Sequence, residues 1–168
     1  MKDMFASCSS LTSLDLSKFD TSLVTSMMSM FYNCSSLTSI EMSNWNTSNL
    51  LNMEYMFESC KSLKNINLLF DTSKVTLMNG MFSDCHSLTS VDLSHFDTSN
   101  VIDINCLFSE CYALSLINLT NVNFSNTTTY FGMFDNISDT GDIIYNNNSI
   151  RQEIIDLIPK KWNQTIIN

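Results

Sequence analysis

Apolar positions recur along this chain in two distinct rhythms. Val24, Met27, Met30, Phe31 and Cys34 stand at offsets 0, 3, 6, 7 and 10, which at about 100° per residue confines them to an arc roughly 120° wide. That spacing predicts a helix in each copy of the pattern. Thr21 or Ser22 would cap it by accepting from an orphan amide, and Asp20 adds favourable charge at its start. The same opening returns as Asn46-Thr47-Ser48, Asp71-Thr72-Ser73 and Asp97-Thr98-Ser99. Between these stretches Leu11/Leu14/Leu16, Leu37/Ile40/Met42, Leu63/Ile66/Leu68, Leu88/Val91/Leu93 and Leu114/Ile117/Leu119 end in alternation, which predicts a short strand. Phe19, Trp45, Phe70 and Phe96 close the successive copies, with Val122 in fifth place. The third copy is one residue short, Leu69-Phe70 standing where the first has Ser17-Lys18-Phe19. The expectation is that the strand-to-helix loop absorbs this deletion.

Both halves belong to one repeated phrase, clearest in Met30-Phe31-Tyr32-Asn33-Cys34-Ser35-Ser36-Leu37-Thr38-Ser39. Cys8, Cys34, Cys60, Cys85 and Cys111 recur every 25 or 26 residues. Self-similarity at such a period predicts an α/β solenoid whose strands align in parallel, spaced about 4.8 Å apart. The frame Met-Phe-x-x-Cys-x-Ser-Leu-Thr-Ser-Leu-Asp-Leu-Ser-x-Phe-Asp-Thr-Ser resembles the BspA-like leucine-rich repeat surface proteins. It does so closely over residues 1 to about 124, and more loosely through Met133-Phe134 and Ile143-Ile144-Tyr145. The resemblance implies a right-handed leucine-rich repeat coil in a secreted or lipid-anchored microbial surface protein, with roles in adhesion. It brings no catalytic residues. Residues 1–134 are expected to form the array and 135–168 a degenerate last repeat with a helical cap. In that cap Ser149-Ile150-Arg151-Gln152 reads as a capping box, and Ile150, Ile154, Leu157 and Ile158 follow at helical spacing up to Pro159. Trp162, Ile166 and Ile167 would help to cover the last repeat.

Composition narrows the partners. Seventeen acids against 8 bases give a net charge of −9, which opposes binding to nucleic acid or anionic lipid. No apolar run approaches the roughly 20 residues that span a bilayer, so no direct membrane insertion is expected. With 3 Gly and 1 Pro, the turns fall to Ser, Asn, Asp and Thr, whose side chains bond nearby backbone. The chain opens in mid-repeat and without a secretory signal. Two expectations follow: a piece of a longer surface protein, or a cytoplasmic scaffold that self-associates through its uncapped N-terminal repeat.

Candidate chemistry is sparse. The five in-phase cysteines should form a buried column, which does not converge on a metal as zinc requires and orients neighbours poorly for disulfides. They read as small hydrophobes, with Cys106 outside the column. Met27, Met30, Met53, Met56, Met78 and Met81 read as core filler rather than a soft-metal array. Asp15, Glu41, Asn67, Asp92 and Asn118 share the central outward position of successive strands, flanked by Ser13, Ser39, Asn65 and Ser90. Two neutral Asn interrupt the row, which suits a solvated face or a protein- or glycan-recognition surface better than calcium. His86 and His95 fall on loops flanking a strand, with no serine and acid set around them. No cofactor site and no enzymatic activity are expected.

Overall fold

The computed structural model describes residues 1–167. Among the described residues six short strands are formed: β1 (Ser13–Asp15), β2 (Ser39–Glu41), β3 (Ser90–Asp92), β4 (Leu116–Leu119), β5 (Asp142–Asn146) and β6 (Asn163–Ile167). All pair in parallel, β1 with β2 and β3 through β6 in order. A one-repeat register places Ser13, Leu14 and Asp15 beside Ser39, Ile40 and Glu41, and Ser90, Val91 and Asp92 beside Leu116, Ile117 and Asn118. A second seam of single parallel bridges joins Ser26, Asn52, Leu77, Asp103 and Thr129.

The helix expected in each repeat is not formed, so the fold is not an α/β coil. The only helix among the described residues is α1 (Gln152–Ile155). Where the helical spacing stood, the chain runs through overlapping tight turns. The amides of Met30, Tyr32 and Cys34 donate to carbonyls three residues back, while those of Met27, Ser29, Phe31 and Asn33 donate at 2.8–3.0 Å to Asn52, Glu54, Met56 and Glu58 one repeat on. An α-helix would consume all these amides internally. The turns instead spend every second one on the neighbouring repeat, and each junction gains a ladder of bonds. Two left-handed residues per repeat make this possible, at Ser29 and Asn33 (φ 53° and 55°), Tyr55 and Ser59, Gly80 and Asp84, Cys106 and Glu110, and Gly132 and Asn136.

Inside the turns the in-phase residues stack. Phe5, Phe31, Phe57, Phe82, Phe108 and Phe134 form one ladder with centroids 5.4–6.0 Å apart and nearly parallel rings, within the range of favourable offset stacking. Beside them the Cys34, Cys60, Cys85 and Cys111 thiols donate to the carbonyls of Phe5, Phe31, Phe57 and Phe82 at 3.0–3.2 Å. These thiols are therefore both packing groups and inter-repeat donors. Thr21, Thr72 and Thr98 act alike through hydroxyls donated to Asn46, Asp97 and Asn123 one repeat on.

At the third copy the expectation that the deletion is absorbed fails. Residues 65–67 form no strand, and the sheet is split between β2 and β3. The buried hydroxyl of Thr47, which faces the shortened repeat, has no partner where its counterparts in other repeats have one. At the C-terminus the helical run expected over Ile150 to Ile158 contracts to α1, capped by Arg151 without a side-chain bond. Ile150, Ile154, Ile158 and Trp162 are buried, whereas Ile166 and Ile167 lie exposed on β6, which extends the sheet.

Candidate functional site

Alternation on three-residue strands decides which side chains reach solvent. Ser13, Asp15, Ser39, Glu41 and Asp92 are exposed, Ser90 and Asn118 half-buried. Each acidic or amide group also folds back on the turn behind it. Asp15 accepts from the Ser17 amide at 2.9 Å, Glu41 from Ser43 at 2.8 Å, Asp92 from Ser94 at 2.8 Å and Asn118 from Thr120 at 3.1 Å. These bonds hold the row in place and leave further lone pairs facing water. They also favour the charged form. Bonds from Ser17 hold the Asp15 carboxyl below the usual carboxylate range, and bonds from Ser43 do the same for Glu41. At Asp92 partial burial pushes upward, but the hydrogen bonds of Ser94 and Asn118 outweigh it and the group is lowered.

Asn65 and Asn67 break the row. Both are exposed but lie outside any strand. Asn65 Oδ1 accepts from the Thr89 and Ser90 hydroxyls, while the Asn67 side chain makes no hydrogen bond, because the deletion has removed the turn it would have capped. No backbone hydrogen bond joins residues 39–43 to residues 64–69. A cleft of about 220 Å³ opens there between residues 39–43 on one wall and Asn65, Ile66, Asn67 and Leu69 on the other. A shallower hollow of about 390 Å³ over β1 and β2 adjoins it and shares Ser39, Ile40 and Glu41.

A second polar cluster went unseen in the sequence. The Lys61 ammonium lies 3.1 Å from the Asp84 carboxylate, His86 Nε2 contacts the same carboxylate, and the Ser59 hydroxyl donates to it at 2.8 Å. The Tyr112 hydroxyl and the Asn136 amide donate to Glu110, and the His86 and Tyr112 rings lie 4.8 Å apart. Burial pushes the Asp84 carboxyl up, but its three partners prevail and it ionises below the usual range. The available signal was the column arithmetic. Ser59, Asp84, Glu110 and Asn136 each precede the in-phase Cys or its Ile137 counterpart, while Lys61, His86 and Tyr112 each follow it. Among the described residues no group of three or more His, Cys, Asp or Glu is placed to hold a metal ion.

Parallel strands, register-keeping bonds and in-phase columns define a repeat protein built from stacked units of 25 or 26 residues, with a polar row along its sheet. The chain belongs to the family described as "Mycoplasma protein of unknown function, DUF285", whose model matches residues 1–69 and again 39–148. The two matches overlap, as periodic sequence allows. No curated protein and no solved structure matches the chain.

Proposed function

We propose that this chain is a non-enzymatic binding module of a microbial cell-surface protein, serving adhesion or host interaction. The row Ser13, Asp15, Ser39, Glu41, Asn65, Asn67, Ser90, Asp92 and Asn118 engages a protein or glycan. The observation that carries this reading is the double duty of Asp15, Glu41 and Asp92, each bonded to its own turn and still exposed. Such groups are ordered before a partner arrives, so little side-chain freedom is lost on binding. The resemblance to BspA-like repeats supports the surface location. No helix among the described residues is long and apolar enough to cross a membrane.

The test is surface plasmon resonance of the protein against a panel of purified host extracellular proteins and glycans, with the variant D15N/E41Q/D92N. The substitutions keep an acceptor for each turn and remove only charge, as Asn118 already does in the fourth strand. A panel member that binds the native chain should bind the variant several-fold more weakly, since three exposed, solvent-screened charges are lost together. Equal affinity for both forms, with unchanged urea midpoints, sinks this assignment of the face.

A further inference from the structure

We propose that the interruption at the third repeat is a slot for one arginine side chain presented by a partner polypeptide. This rests on the reading of the strand face as a protein-binding surface, and names what that surface selects. The slot exists because Asn67 has no turn to cap and residues 65–67 pair with neither β2 nor β3. At about 220 Å³ it falls below the roughly 300 Å³ at which pockets for whole small molecules begin, and it suits a single long side chain.

Its walls match the two parts of that side chain. Ile40, Ile66 and Leu69, the last 63 % exposed, offer apolar surface for a three-carbon stem. At the polar end Glu41 Oε1 is occupied by the Ser43 amide, which leaves its second oxygen free. The Asn67 amide, equally unengaged, lines the same cleft. Asp15, paired with Glu41 across β1 and β2, lies outside the cleft and adds a second negative charge one strand away, so a cation placed here meets one carboxylate directly and the field of another. A guanidinium presents several donors in one plane and can serve the carboxylate and the amide oxygen together, which an ammonium does less well. The protein's net charge of −9 favours the approach of a basic segment.

The experiment is titration of the ¹⁵N-labelled full chain with N-acetyl-arginine-amide, read by amide chemical shifts. N-acetyl-citrulline-amide, neutral and of the same shape, and methyl α-glucoside are parallel probes. Saturable shifts confined to the amides of residues 39–43 and 65–69 are expected with the arginine probe, at about tenfold higher affinity than with citrulline. E41Q should weaken the arginine probe by about the same factor. Inserting one serine between Leu68 and Leu69 restores the 26-residue spacing and should abolish the saturable shifts; where that variant does not fold, E41Q alone decides. Equal responses to arginine and citrulline, shifts centred on Asp20, Asp71 and Asp97 instead, or a response to the glucoside alone each overturn the proposal. A panel partner whose binding is weakened by D15N/D92N but untouched by the insertion preserves the strand-face reading and eliminates the slot.

Discussion

Gly80 tests how the turn column is built. A methyl group placed there would stand 2.5 and 2.7 Å from Cδ1 and Cε1 of Tyr55, one repeat back. Ser29, Tyr55 and Cys106 hold the same left-handed conformation, at φ 53–55°, so the backbone alone does not demand glycine. It costs an alanine about 1 kcal/mol. Displacing the Tyr55 ring adds about 1 kcal/mol, at the low end for overpacking because this half-buried ring can swing toward solvent. G80A is therefore expected to destabilise by about 2 kcal/mol in the native background. In a Y55S background, where serine repeats the choice already made at Ser29, the cost falls to about 1 kcal/mol. The coupling of about 1 kcal/mol exceeds the usual error of such cycles. Urea unfolding of the four proteins, followed by circular dichroism at one pH, measures it. An identical cost in both backgrounds would show that Tyr55 does not cover Gly80, and the stacking of this column would be wrong.

Two further outcomes are expected. With a disulfide reagent at pH 8, Cys8, exposed, should react first and Cys106, half-buried, more slowly; Cys34, Cys60, Cys85 and Cys111 should react only at the rate of global unfolding. Burial pushes the Cys34 thiol up to about 11 and the Cys111 thiol to about 12, so thiolate is scarce there, and a third thiol reacting in the folded protein refutes the burial of the column. The second concerns Glu58, whose carboxyl is pushed up by burial and by the neighbouring Asp84 charge. Folding disfavours its ionised form, so Glu58 lowers stability fully above its folded pKa, and this cost shrinks as pH falls through that value and is gone below the unfolded pKa. E58Q should raise the urea midpoint at pH 7 and match the native protein at pH 3, while equal midpoints at pH 7 would contradict it.

Period, columns and core were legible from spacing alone, because in-phase residues must meet wherever repeats stack. The alternation at Leu14, Ile40, Val91 and Ile117 located β1 to β4 correctly. Helical offsets misled for a definite reason. Overlapping turns also return every third or fourth side chain to one side, so Val24, Met27, Met30 and Cys34 fit either conformation. What separates the two is the partner of each amide, which for Phe31 is Met56, 25 residues away, and no local pattern records it. A local clue did exist: two of the chain's three glycines, Gly80 and Gly132, stand in one column with Ser29 and Tyr55, in the middle of what looked like a helix. Of the candidate row, exposure was readable at Asp15, Glu41 and Asp92. The detachment of Asn65 and Asn67 was not, since Leu63/Ile66/Leu68 alternates as well as any other copy and the fault lies in the missing residue after it.

Every junction in the turn seam is made the same way, from the Phe5–Phe31 contact to the Phe108–Phe134 contact. No junction depends on how many others exist. A lineage can therefore duplicate or drop whole copies by recombination between near-identical stretches of gene, and each event lengthens or shortens the molecule by one step of about 5 Å. Reach becomes a quantity that selection adjusts by counting, with no new contacts to invent.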